Sequence, residues 1–231
     1  MSKPWITAGL LLLVFGIAVK FLVRYAVPYF RFDQAYFDQF GYWPHRGRLI
    51  LHICGAMLAL ICGPFQFWTG LRRIALSFHR WTGRLYLVGV AVGSTGAILM
   101  SIYTDPRSLG TALRGLAAAW IVTTGISYAA ILRGMVPLHK EWMVRSYLVT
   151  FAFVTFRWLD EMPVVASYWG PYAERSTNVA WISWVVPLLV FEVILQARRI
   201  YYRQPCPHNR EQDYLLYKRR RSGPPRRVAN A

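Results

Sequence analysis

The sequence has few acidic residues and few cysteines. It contains 10 Asp and Glu against 27 Lys and Arg, which gives a net charge of +17 at pH 7. Two of its three cysteines lie within one apolar stretch, which excludes a disulfide framework. The sequence also lacks a nucleophile elbow, a phosphate-binding loop, HExxH and CxxC. These absences exclude the common motif-based hydrolases and metalloproteases.

The rest of the composition is strongly apolar and aromatic. Hydrophobic residues make up 55% of the chain, with 10 Trp, 14 Tyr and 13 Phe, and the mean hydropathy is +0.29. Disordered segments are poor in such residues, so most of the chain is expected to fold. An isoelectric point near 10.4 also suits nucleic-acid binders. The apolar content instead predicts a membrane protein without a nucleic-acid partner.

Six stretches are long and apolar enough to cross a bilayer, which requires roughly 20 residues per helix. They cover about 5–27, 49–68, 81–103, 112–132, 142–165 and 178–200. They predict an all-α polytopic membrane protein with a six-helix transmembrane domain over 1–203. The remaining residues, 204–231, are rich in Pro and basic residues and predict a disordered tail.

The distribution of Lys and Arg predicts the orientation in the membrane. Six spans place both termini on one side, and 18 of the 27 basic residues fall on that side, ten of them between Arg198 and Arg227. Because cytoplasmic loops are enriched in Lys and Arg, both termini are expected in the cytoplasm. The location predicted is the bacterial inner (plasma) membrane. The basic residues further predict contact with anionic lipid head groups.

An internal repeat covers the four central spans. The stretch LRRIALSFHRWTGRLYLV starts at Leu71, and LRGMVPLHKEWMVRSYLV starts at Leu132. Aligned pairs include His79 with His139, Trp81 with Trp142, Arg84 with Arg145, and Tyr86 with Tyr147. The repeat predicts two copies of one helical hairpin, about 49–103 and 112–165, which form an inner four-helix core.

Three motifs within this region resemble those of a known family. HICGAMLALICGPFQF, HRWTGRLY and HKEWMVRSY resemble the hallmarks of DUF2306, a bacterial family of predicted membrane proteins. The resemblance covers about residues 45–165 and implies a multi-pass inner-membrane protein without an established activity. The four-helix core also loosely resembles the architecture of b561-type cytochromes and ferric reductases.

Several polar residues are predicted to lie within or near the hydrocarbon, where a charge at the centre costs about 2.5–3.5 kcal/mol. His52, Arg157 and Asp160 fall on the outer side of the midplane. Arg157 and Asp160 are three residues apart on a helix and are therefore expected to pair. Together with Arg48 and Glu161 they predict either a salt bridge that fixes packing or a binding or proton-handling site.

The inner rim carries His79 and His139 beside Arg84 and Arg145. These residues either cap helix carbonyls and fasten the two hairpins, or bind phosphate or lipid head groups.

Two further polar positions stand out on the inner side of the midplane. Gln66 follows Pro64, and Pro64 frees a backbone carbonyl that a neighbour must satisfy. Glu192 lies on the last span, where it is either a functional carboxylate or a protonated group bonded to a neighbour.

These residues leave three functions open. The first is redox chemistry linked to haem b or quinone, with His52, His79 and His139 as cofactor ligands and Met100, at a depth similar to His52, as a second ligand for it. The second is transport or ligand binding at Arg157, Asp160 and Glu192. The third is an accessory subunit that packs against a membrane-protein partner. No metal other than haem iron is predicted, and enzymatic activity is left open.

Overall fold

The structure is a computed structural model that describes residues 4–39, 41–72, 75–202 and Lys218. Within these residues the chain forms α-helices and short π and 3-10 segments but no strand, which confirms the all-α prediction. The helices are α1 (Pro4–Phe21), α2 (Gln34–Asp38), α3 (Arg46–Arg72), α4 (Leu76–Ser101), α5 (Arg107–Leu132), α6 (Val136–Thr150), α7 (Ala152–Asp160), α8 (Pro163–Trp169) and α9 (Tyr172–Tyr202).

In the described residues, five stretches of helix have the length and apolar composition of a membrane span: Ala8–Arg31, Trp43–Gly70, Leu76–Ser101, Arg107–Leu132 and Tyr172–Tyr201. The predicted span 142–165 is not one continuous helix. It is divided among α6 and α7, which meet at Phe151, and the start of α8, which Glu161 and Met162 separate from α7. The Thr150 hydroxyl donates to the carbonyl of Ser146 at 2.9 Å and so competes with the helical backbone pattern at this junction. A polar first half, with His139, Lys140 and Glu141, further separates α6 from the apolar spans.

The central helices form two consecutive hairpins, α3 with α4 and α5 with α6. The turn between α5 and α6 depends on Gly134, whose φ of +70° is the left-handed conformation that glycine adopts at low cost. There the N–H of Met135 donates to the carbonyl of Ala130 at 2.9 Å. Both hairpins turn at the same end of the bundle, here called the Arg72 end; the opposite end, where α3 begins, is called the Arg46 end.

Glycines bring α3 and α4 into backbone contact. A Cβ placed on Gly55 would overlap the backbone of Gly93, and a Cβ on Gly96 would overlap the backbone of His52. Small residues at such positions let membrane helices approach closely enough for backbone packing. This contact fixes His52 against the C-terminal part of α4, at Gly93 and Gly96.

The chain divides into two units, Met1–Leu189 and Val190–Ala231. The first contains the hairpins and the apolar core. In the second, Glu192 accepts a hydrogen bond from Gln196 at 2.6 Å. The predicted tail, 204–231, lies outside the described residues except for Lys218.

Candidate binding cavity

A cavity of about 180 Å³ lies in the first unit and is lined by residues of α3, α4, α5, α6, α7, the end of α1 and the segment after it. Its walls are mostly aliphatic and aromatic. The side chains with polar atoms in the lining are Tyr25, Tyr29, Tyr42, His52, Trp120, Thr150 and Arg157. Pockets of this kind, apolar with a few converging polar groups, are typical of small-molecule sites.

His52 has a fixed orientation in this wall. Its Nδ1 lies 2.8 Å from the carbonyl oxygen of Gly93, and its ring packs 5.7 Å from the ring of Phe153. Because a carbonyl can only accept, Nδ1 must carry the proton. In the neutral ring Nε2 is then a hydrogen-bond acceptor, and no partner for it exists among the described residues. The bundle therefore offers an acceptor nitrogen in an apolar cavity.

Arg157 lines the same cavity from α7. Its guanidinium lies 5.7 Å from the ring centres of both Tyr25 and Phe156, a distance at which cations interact with aromatic faces. The cavity thus combines the acceptor of His52 with a permanent cation that donates hydrogen bonds.

The predicted pairing of Arg157 with Asp160 is not the one observed. Asp160 instead accepts a hydrogen bond from Nε of Arg175 at 2.9 Å, and the two side chains are only 9% and 18% exposed. Arg175 also donates to the carbonyl of Gly170 at 3.2 Å. The partner comes from the first turn of α9, so the spacing within one helix could not identify it.

The other members of the predicted outer cluster also lie elsewhere. Arg48 bonds to Nδ1 of His45 at 2.8 Å and lies over the ring of Tyr103. Glu161 accepts a hydrogen bond from the Tyr25 hydroxyl and forms an exposed ion pair with Arg24 at 3.5 Å. Only His52 and Arg157 of that cluster line the cavity.

Tyr42 precedes the short 3-10 segment Trp43–His45 that leads into α3, and it lines the cavity. Burial raises the pKa of its phenol, Tyr172 raises it further, and the nearby Arg157 lowers it. Tyr42 is therefore a neutral hydroxyl within electrostatic range of the guanidinium.

Sequence reasoning missed the aromatic wall that follows α1. Phe21, Tyr25 and Tyr29 recur every four residues and all line the cavity. The segment Leu22–Ala26 is π-helical, a distortion frequent at functional sites. The four-residue spacing of these aromatics is the signal that could have found them.

A buried hydroxyl network adjoins the cavity at Thr150 and Trp120, and sequence reasoning did not single it out. The indole N–H of Trp120 donates to Oγ1 of Thr150 at 2.8 Å. The Tyr86 hydroxyl lies 2.8 Å from Thr150 and 2.7 Å from Ser146, and Ser146 lies 2.7 Å from Thr124. Buried hydroxyls need such partners, so the network holds α4, α5 and α6 in register.

His79 joins α3 to α4 at the Arg72 end rather than lining the cavity. Its Nδ1 lies 2.9 Å from the Thr69 hydroxyl. Gln66, buried on α3, donates to the His79 carbonyl at 2.8 Å and also bonds to the Thr82 hydroxyl. Gln66 and His79 thus form a polar fastening inside the first hairpin.

His139 makes the equivalent contact in the second hairpin. Its Nδ1 lies 3.0 Å from both the hydroxyl and the carbonyl oxygen of Ser127. The aligned arginines behave alike, because Arg84 lies 4.9 Å from the ring of Trp81 and Arg145 lies 4.7 Å from the ring of Trp142.

Haem does not fit the cavity. His52 and Met100, the two residues considered as axial ligands, both line it. A cavity of about 150 Å³ holds a benzene-sized molecule, so about 180 Å³ suits one substituted ring rather than a tetrapyrrole. Among the described residues, no three His, Cys, Asp or Glu side chains group as metal ligands.

Comparison with known proteins gives a family but no characterised relative. The family described as "Predicted membrane protein (DUF2306)" matches residues 49–195. The chain belongs to this family. No curated protein and no solved structure matches it. The three motifs singled out in the sequence meet inside the bundle, since Gln66 contacts Thr82, and Tyr86 contacts Ser146.

Proposed function

We propose that this membrane protein binds a quinone-class molecule, a single ring that carries oxygens and an apolar tail. The observation that carries the proposal is the 180 Å³ cavity in which His52 and Arg157 face an otherwise apolar and aromatic lining. This is the quinone-linked form of the redox role expected from the sequence.

The polar groups of the cavity match the chemistry of such a ring. Nε2 of His52 would accept a hydrogen bond from a ring hydroxyl, because Nδ1 is already committed to the Gly93 carbonyl. The guanidinium of Arg157 would donate to a ring carbonyl or neutralise a ring oxyanion. The aromatic side chains Tyr25, Tyr29 and Trp120 would pack against the ring.

The transport alternative at Arg157, Asp160 and Glu192 has less support. Asp160 is committed to Arg175, and Glu192 bonds to Gln196 in the second unit. Arg157 alone of the three lines the cavity.

A binding titration tests the proposal. The purified full-length chain in detergent is titrated with a short-chain prenylated benzoquinone and its quinol, and the quenching of tryptophan fluorescence is followed, because Trp120 lines the cavity. We expect the quenching to saturate. His52→Ala and Arg157→Gln should each lower the affinity about tenfold, as for the loss of one hydrogen bond to a charged or buried group.

Two matched variants control this titration. His45→Ala removes a histidine outside the cavity, and Trp120→Phe removes the reporter. The first should bind like the wild type, and the second should lose most of the quenching. Linear, non-saturable quenching, or an affinity in the His52→Ala and Arg157→Gln variants that is unchanged from the wild type, would refute quinone binding here.

We further propose the inner membrane as the location, with both termini in the cytoplasm. The support is the excess of Lys and Arg on the side of the termini. Reporter fusions that are active only in the periplasm should stay inactive after Tyr202 and become active in the loop that contains Asp105.

A further inference from the structure

One exposed face of α4 carries two arginines among apolar side chains. Trp81, Leu85 and Val88 on this face are 63%, 44% and 54% exposed, and Arg80 and Arg84, which lie beside them on the helix surface, are also exposed. In a membrane span such a face meets lipid. The arginines are therefore placed where the surrounding solvent is lipid rather than water.

The length of α4 places Arg84 below the hydrocarbon boundary. Its 26 residues extend about 39 Å at 1.5 Å per residue, against a hydrocarbon thickness of about 30 Å. A centred helix would then bury Arg84, the ninth residue, about 7 Å inside the hydrocarbon, with Arg80 close to its boundary. A charge at this depth is costly unless its head group reaches the interface.

The observed side-chain geometry provides that reach. Side chains of a helix lean toward its N-terminus, which for α4 is the Arg72 end and the nearer boundary. The guanidinium of Arg84 accordingly lies over the ring of Trp81, 4.9 Å from its centre and one turn closer to that end. Arg84 thus packs its stem along the helix and directs its charge toward the head groups.

Among the residues that the structure describes, no carboxylate neutralises these charges. Arg24 and Arg175 each pair with an acidic side chain, whereas neither Arg80 nor Arg84 forms an ion pair within the described residues. The abundant anion in this layer of a membrane is the lipid phosphate. The planar guanidinium binds a phosphate through two parallel hydrogen bonds.

We propose that Arg80, Trp81 and Arg84 form a binding site for the phosphate of an anionic phospholipid. Arg84 binds the phosphate from the hydrocarbon side, Arg80 binds it from the interface, and Trp81 packs beside the glycerol region. In the aligned pair, the Arg145 guanidinium lies over the Trp142 ring at a similar 4.7 Å, but both residues are half-buried, so the exposed first repeat carries the site.

Native mass spectrometry of the delipidated full-length protein tests the site. The protein is titrated separately with phosphatidylglycerol, phosphatidylcholine and inorganic phosphate. We expect phosphatidylglycerol to bind more tightly than phosphatidylcholine. The double variant Arg80→Gln/Arg84→Gln should lower the affinity for phosphatidylglycerol about tenfold, as for the loss of charge-assisted hydrogen bonds. Arg133→Gln, an exposed arginine at the same end, is the matched control and should leave the affinity unchanged.

Three results would overturn the site. They are an unchanged phosphatidylglycerol affinity in the double Gln variant, an equal loss in Arg133→Gln, and displacement of phosphatidylglycerol by inorganic phosphate at matched concentration, which would indicate a free-anion site. If the double Gln variant does not fold, Arg80→Lys/Arg84→Lys serves instead. It keeps the charge but loses the planar fork, so weaker binding than in the wild type is still expected.

Discussion

The Tyr147 hydroxyl donates to the carbonyl oxygen of Leu60 at 3.2 Å. That carbonyl is four residues before Pro64, which has no N–H and therefore cannot satisfy it within α3. Gly63 leaves room for the contact, because a Cβ there would overlap the ring of Tyr147. The sequence predicts that the carbonyl freed by Pro64 needs a hydrogen-bond donor from a neighbouring helix. In the structure that donor is Tyr147 on α6.

Tyr147→Phe should destabilise the bundle by about 1 kcal/mol, the size of a hydrogen bond within a membrane protein. The free energy of unfolding in detergent is measured. In a Pro64→Ala background the new N–H can bond to Leu60, so the same Tyr147 substitution should cost little. Tyr128→Phe, on an exposed tyrosine of α5, is the matched control and should be neutral. An equal cost in both backgrounds would contradict the assigned role of the Tyr147 hydroxyl.

The contact between α3 and α4 predicts a second stability difference. Gly55→Ala forces a methyl group into the backbone of Gly93, so we expect a loss of about 1–3 kcal/mol or failure to fold. Gly125→Ala, in the interior of α5, meets no atom within 4 Å and should be neutral or stabilise by up to about 1 kcal/mol. Thermal unfolding of the two variants provides the measurement. Similar unfolding temperatures for Gly55→Ala and Gly125→Ala would show that α3 and α4 are not in backbone contact.

Sequence periodicity and hydropathy predicted the fold class and located most spans, because both depend on local composition. The apolar stretch 178–200, for example, lies within α9, Tyr172–Tyr202. The division of 142–165 at Phe151 was not predicted, since neither Pro nor Gly marks it.

The candidate site was less predictable, because its contacts depend on how distant helices pack. The depth of His52 and Arg157 placed both on one side of the membrane, and they do line one cavity. Helix spacing gave Asp160 the wrong partner, since Arg175 belongs to another helix. The hydroxyl of Tyr86 could not be matched with Ser146 from a pattern, because 60 residues separate them.

His79 and His139, at the Arg72 end, allow a test between two roles: joining the two helices of a hairpin by hydrogen bonds, and ligating haem. Because Nδ1 of His79 and of His139 is bonded within its own hairpin, either substitution to Ala should destabilise the protein by about 1 kcal/mol. Purified protein expressed with added haem should show no Soret band. A Soret band that disappears in either Ala variant would contradict the fastening role and restore haem binding.

Two ion pairs at the Arg46 end should differ in their contributions to stability. Asp160 and Arg175 are largely buried, whereas Glu161 and Arg24 are 46% and 62% exposed. Breaking a buried pair leaves an uncompensated charge, so Asp160→Asn should cost about 3 kcal/mol. Glu161→Gln should cost less than about 1 kcal/mol, since an exposed pair is screened by solvent.

The double variant Asp160→Asn/Arg175→Gln separates the pair from the single charge. If the cost arises from the unpaired guanidinium, removing that guanidinium should recover much of the lost unfolding free energy, which chemical denaturation in detergent would measure. Costs that simply add would mean that the two residues act independently despite their 2.9 Å contact. Equal costs for Asp160→Asn and Glu161→Gln would mean that burial does not govern either pair. Asp160 is the last residue of α7, and Arg175 lies in the first turn of α9. Recovery in the double variant would therefore show that this ion pair contributes to the packing of α7 against α9.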